Sequence, residues 1–239
     1  MSMTELINGN CFEYISKIPK GSIDLILTDI PYIVSTTNNF ATMKDRTGRN
    51  GIDFGAWDKD FDVSQLSTLV PLLSLNGSIV LFHSFEQYGV VRKTFEGAGL
   101  VCKDKIIWQK SNPMPRNRDR RYICDCEMAS WYTRRGAKWC FNRQNPIYES
   151  MVMRYPSESG GAYKRYHPTQ KTLSLISYLI KIHSNEGDVV LDPFMGSGTT
   201  GVACANNNRS FIGIELCEEY YNIASERINV ARSNLKRRE

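Results

Sequence analysis

Residues 189–201 read VVLDPFMGSGTTG, and FIGIE follows at 211–215. A short apolar run breaks into a glycine-rich turn, helix formers come next, and a second apolar run ends on Glu215. This order predicts a strand, turn, helix, strand unit of the kind that holds a nucleoside. Gly196, Gly198 and Gly201 stand in G-x-G-x-x-G spacing, with an acid roughly 20 residues past Gly196. Taken alone, that spacing admits a dinucleotide, and with it an NAD-dependent oxidoreductase.

Two features point to another ligand. Asp192 heads the turn where a pyrophosphate would approach, and an anion beside an anion is unfavourable. Only 38 residues follow Gly201, fewer than the rest of a dinucleotide domain needs in its usual order. A cationic ligand would welcome Asp192, and S-adenosylmethionine carries both a sulfonium and an ammonium group. Glu215, at the end of the next strand, is placed to accept hydrogen bonds from ribose hydroxyls.

Upstream, IDLILT at 23–28 predicts a buried parallel strand ending in the polar turn Asp29-Ile30-Pro31-Tyr32. The polar stretch 35–60 predicts a long mobile loop, a length more often functional than idle. A helix over 64–75, a strand over 78–82, a helix over 85–98 and a strand over 101–108 follow. Regular structure resumes with a helix over 170–183 and closes with a helix from Glu218. Strand and helix alternate, so an α/β fold with a doubly wound, mainly parallel sheet is expected. Between them, 111–165 opens with SNPMPRNRDRR, too rich in Pro, Asn and Arg for a core element, and predicts an insertion at or above the sheet edge with a strand over 127–133. The expected plan is therefore one core in two halves, 1–110 and 166–239, with 111–165 inserted.

Charge sharpens that plan. The net charge is +5, yet nine basic and three acidic residues crowd 110–143, which leaves the remainder close to neutral. Localised basicity implies one surface facing a polyanion, with the arginine run 116–121 as its sharpest part. No segment has the apolar length of a membrane helix, and the start MSMTELINGN lacks signal-peptide character, so a cytoplasmic protein with no membrane partner is expected. Seven scattered cysteines, with C-x-C at Cys124 and Cys126, suit free thiols better than a metal site. Trp108, Trp131 and Trp139 suit packing, and His83 and His183 suit structural roles.

DPFMGSGTT at 192–200, the tetrapeptide DIPY at 29–32 and HPTQK at 167–171, in that chain order, resemble the beta group of amino DNA methyltransferases. GSIVLF at 77–82 and IIWQKSNPMP at 106–115 extend the resemblance over nearly the whole chain. It implies a Rossmann-like fold of permuted motif order with a target-recognition region at 111–165. It further implies methyl transfer from S-adenosylmethionine to an exocyclic amine in double-stranded DNA, the target base being flipped out. Asp29 would then accept from the amine, a backbone carbonyl at Ile30 or Pro31 would be the second acceptor, and Tyr32 would stack on the base. Cofactor contacts are implied at Asn10, Cys11, Asp29, His167, Thr169, Lys171, Asp192, Phe194, Gly196, Ser197, Gly198, Thr199 and Glu215, with Lys171 on the methionine carboxylate. DNA contacts are assigned to Lys110, Asn112, Arg116, Arg118, Arg120 and Arg121. Two positions depart from the family pattern: Ile30 stands where a first proline is usual, and Asn10 where Asp is usual. Asp at the head of the tetrapeptide favours adenine N6, with cytosine N4 as the alternative and a non-catalytic DNA-binding relative as another. A homodimer and a cognate restriction endonuclease are further partners that the resemblance leaves open.

Overall fold

In the computed structural model, residues 2–32, 61–113, 119–120, 122–158, 166 and 170–236 are described. The loop 35–60 and the residues Arg116, Arg118, Arg121, His167 and Thr169 lie outside them. Eight strands form one sheet: β1 (Thr4–Asn8), β2 (Ile23–Asp29), β3 (Leu73–His83), β4 (Leu100–Lys110), β5 (Cys126–Arg134), β6 (Val152–Tyr155), β7 (Val189–Asp192) and β8 (Ser210–Glu215). Their order across the sheet is β1-β8-β7-β2-β3-β5-β4-β6. Every neighbouring pair is parallel except the two that β5 makes, antiparallel to β3 and to β4.

Both faces are covered, which is why the strands read as continuous apolar runs. Leu25, Leu27, Val80 and Phe82 face α3 (Leu173–His183), α4 (Thr199–Asn206) and α5 (Glu218–Lys236). With the period of two expected of a strand, Ile26, Ile79 and Leu81 face the other way. There they meet α1 (Cys11–Tyr14), α2 (Tyr88–Gly97) and a 3-10 helix at Val63–Leu72. That 3-10 helix replaces the helix expected over 64–75, because Pro71 lacks an N–H and β3 takes over from Leu73.

The expectation that 111–165 sits at the edge or above the sheet needs correction. β5 lies between β3 and β4, and β6 adds the outermost strand beside β4. Residues 128–133 of β5 are all buried, since both of its faces are covered. Its antiparallel direction has a consequence for the site: the start of β5, including Glu127, reaches the edge where β2, β3, β7 and β8 end.

The glycines of the turn are required by space as well as by conformation. Gly196 and Gly198 hold φ of 52° and 79°, in the region that disfavours a side chain. A Cβ on Gly201 would lie 2.4 Å from Ile228 Cδ1 and 2.6 Å from Phe211 Cε1, so α5 and β8 close over it.

Candidate active site

β2 and β7 are neighbours in the sheet, with Leu25 opposite Val190 and Ile26 opposite Leu191. Asp29 and Asp192 therefore end adjacent strands, and the Thr28 hydroxyl donates to Asp192 Oδ1 across the gap at 2.6 Å. This junction floors a cavity of about 500 Å³, lined among others by Asn10, Phe12, Asp29, Tyr32, Asp192, Gly196 and Glu215. Clefts at the carboxyl ends of parallel strands are where such sheets bind ligands.

One end of the cavity is aromatic. Phe12, Phe61 and Phe194 pack with ring centroids 5.4 to 6.3 Å apart, giving an apolar wall suited to a planar base. Asn10 caps α1 by accepting from the Phe12 amide at 3.0 Å, and burial pushes the adjacent Cys11 thiol up to about 12. Glu215 accepts from the amides of Gly196 (2.9 Å) and Cys217 (2.8 Å), which aims the carboxylate while leaving lone pairs unused. Asp192 is buried; burial pushes its carboxyl up to about 6, against the lowering effect of Thr28, Thr200 and the Phe194 amide. A buried acid raised this far gains from a cation placed beside it.

The other end carries the tetrapeptide. Gln87 donates to the Pro31 carbonyl at 2.7 Å and so fixes the loop's outward turn. Asp29 Oδ2 is held by the Lys171 ammonium, whereas Asp29 Oδ1 is buried and receives no donor among the described residues. Burial raises the Asp29 carboxyl, with Lys171 opposing the rise and Glu127 adding to it. Glu127 is different: burial acts upward, but the Lys171 and Lys110 ammonium groups overcome it and bring the carboxyl to about 2. The site thus sets a carboxylate with one donor-free, buried oxygen beside a cavity that suits an aromatic nucleoside and a cation.

A family model described as DNA methylase, for N6 and N4 enzymes, matches residues 23–226. The chain belongs to this DNA methylase family. The methyltransferase is 31% identical over 94% of its length to Type II methyltransferase M2.LlaDCHI of Lactococcus lactis subsp. cremoris, and covers 88% of that protein. It is 30% identical over 97% of its length to Type II methyltransferase M.HinfI of Haemophilus influenzae, covering 70% of it. The solved M1.HpyAVI–SAM complex shares 38% identity and a TM-score of 0.76, over 95% of this chain and all of that one. PvuII DNA methyltransferase, cytosine-N4-specific, shares the fold with a TM-score of 0.74 at 18% identity, over all of this chain and 94% of that one. The methyltransferase is thus an S-adenosylmethionine-dependent enzyme of DNA, and the residues present fit that cofactor: an aromatic wall, a ribose-height carboxylate at Glu215 and the buried acid Asp192.

Several of the expected site residues have partners within the chain. Lys171, expected on the methionine carboxylate, is buried between Asp29 and Glu127, with its ammonium 5.2 Å from the Tyr32 ring centre. Ser197 donates to Gln170 and accepts from Arg227, so its hydroxyl has partners inside the methyltransferase. Lys110 pairs with Glu127 at 2.7 Å, and Asn112 pins Ser157 through both ends of its amide. Of the described DNA candidates, Asn112 and Arg120 are exposed and Lys110 is half-buried. Phe61, Gln87 and Glu127 had no motif to reveal them. Phe61 follows a polar stretch, Gln87 precedes a helix, and Glu127 opens a strand whose apolar run hides it.

No helix among the described residues is long and apolar enough to cross a membrane.

Proposed function

We propose that the methyltransferase moves a methyl group to N6 of an adenine flipped out of double-stranded DNA. The observation that carries this reading is Asp29, which lines the cavity beside Tyr32 and whose buried Oδ1 has no hydrogen-bond donor among the described residues. An exocyclic amine conjugated with its ring is a poor nucleophile. Two acceptors on its N–H groups favour a pyramidal nitrogen whose lone pair can attack. Asp29 Oδ1 is the first acceptor. Gln87 already takes the Pro31 carbonyl, so the Ile30 carbonyl serves as the second. Pro31 biases Ile30 towards extended backbone whatever its side chain, and for this reason Ile in place of Pro is compatible with activity. Bound S-adenosylmethionine supplies an electrophilic methyl group, and in-line positioning does the rest.

Asp rather than Ser at the head of the tetrapeptide supports adenine. Segment 111–165, with Arg116, Arg118, Arg120 and Arg121, is read as the target-recognition region, and the loop 35–60 as a cover over DNA. A cytoplasmic setting, a homodimer and a cognate endonuclease belong to the same proposal. Expressing the methyltransferase and mapping modified bases by single-molecule sequencing should give N6-methyladenine in one sequence context. N4-methylcytosine, or no modification, overturns the assignment.

The buried Asp192 gives a second test. A cationic cofactor binds its ionised form, so affinity is retained above pH about 6 and weakens as pH falls through that value. Calorimetry at pH 7.5 and 5.0 should show S-adenosylmethionine affinity falling by several-fold more in the wild type than in Asp192→Asn. Equal pH dependence in the two proteins rules out Asp192 as the cofactor's counter-charge.

A further inference from the structure

Glu127 belongs to no motif, yet it joins the charges around the catalytic loop. Its Oε1 accepts from Lys110 at 2.7 Å, and its Oε2 accepts from Lys171 at 2.9 Å and from the Tyr32 hydroxyl at 3.4 Å. Lys171 continues the row to Asp29 Oδ2. Charges therefore alternate from the end of β4 to the tetrapeptide: Lys110, Glu127, Lys171, Asp29.

We infer that Glu127 is a positioning residue for methyl transfer, acting through Lys171 and Tyr32 to hold Asp29 with Oδ2 engaged and Oδ1 kept from any donor but the amine. Two physical effects follow from sharing one ammonium between two carboxylates. An ammonium paired with Asp29 alone would draw electron density from it and weaken it as an acceptor. The four charges of the row sum to zero, but its negative end is Asp29, next to an amine nitrogen that becomes positive as the methyl arrives. Fixed negative charge at that point stabilises the transition state more than the ground state. Tyr32 benefits too, since its hydroxyl is anchored while its ring stays available to the cavity.

The charged and titratable groups around Asp29 are Tyr32 on its own loop, Lys171, Glu127 from β5 with Lys110 behind it from β4, and Asp192 from β7. Methyl transfer requires ionised Asp29, so the single-turnover rate at saturating DNA and cofactor falls on the acid side. Glu127→Gln removes a neighbouring negative charge and frees Lys171 for Asp29. Both changes favour ionised Asp29, and the acid limb should move to lower pH while the plateau rate drops about tenfold or more. Cofactor affinity should stay within about twofold, because Glu127 does not line the cofactor end. Lys110→Gln removes the cation competing for Glu127, which then draws Lys171 harder, so its acid limb should move to higher pH.

Opposite limb shifts, with a slower plateau in Glu127→Gln, are the expected result. A wild-type plateau in Glu127→Gln, or limbs that stay put or move together, overturns the inference. If Glu127→Gln does not fold, Lys110→Gln carries the test from its partly exposed position, and an unmoved or lowered limb overturns it. The inference rests on Asp29 as the amine's acceptor, which Asp29→Ala tests by itself. An inactive Asp29→Ala beside an unaltered Glu127→Gln removes the role of Glu127 alone, and an active Asp29→Ala removes both.

Discussion

Replacing Asp29 by alanine is expected to reduce methyl incorporation by about a thousandfold or more, while S-adenosylmethionine binds within about tenfold of the wild-type affinity. The substitution deletes Oδ1, the buried acceptor without a donor, and with it the proposed means of presenting the amine lone pair. Lys171 keeps Glu127 as its partner, so no buried charge is left alone. The cofactor end, with Asp192, Gly196, Glu215 and the phenylalanine wall, does not depend on the lost side chain. Incorporation of a radiolabelled methyl group read beside calorimetric cofactor binding separates the two effects. Activity within tenfold of wild type would sink the acceptor role.

Lys171→Met should act on the fold itself. The methionine fills similar volume but leaves Asp29 and Glu127 facing each other, partly buried and without the ammonium between them. Removing one partner of a buried ionic cluster costs about 3 kcal/mol or more, and in a chain of this size that corresponds to a melting temperature lower by roughly 10 °C. The sign of its pH dependence follows from proton binding. Without Lys171 the Asp29 carboxyl, already raised by burial, rises further, so the folded variant holds protons that the unfolded chain releases. Its deficit against wild type should therefore be largest near neutral pH and shrink as pH falls. Melting curves at pH 7.5 and 5.5 test this; a melting temperature within about 2 °C of wild type at pH 7.5 contradicts the buried-cluster account.

Much of the framework was legible because local rules and tertiary demands agreed. The run at 189–201 forms β7, the glycine turn and α4, since a strand buried on both faces and a turn crowded by Ile228 and Phe211 leave little choice of residue. IDLILT forms β2 for the same reason. The meeting of Asp29 with Asp192 was implied by both residues ending parallel strands. What the sequence hid was relational. β1 is a short edge strand without a strong apolar run, and β6 reads as VMRY amid irregular sequence. Lys171 sits in a motif that pointed to the cofactor, yet its partner Glu127 lies 44 positions earlier in a strand whose direction no periodicity reveals. An antiparallel β5 turns that residue towards the catalytic edge, and a parallel one would have carried it to the opposite side.

On the proposed reading of 111–165 as the target-recognition region, the same strand bears on how new specificities would arise. β4 and β5 form the two arms of a hairpin paired along most of their length, and the Lys110 amide closes it by donating to the Asp125 carbonyl at 2.7 Å. Whatever lies between those two residues enters and leaves the core through a gate already locked in register. Lengthening a surface connection costs little entropy when its ends are held together. On that reading the connection could be exchanged like a tool bit, its length and lettering altered, while the handle that performs the chemistry stays as it is.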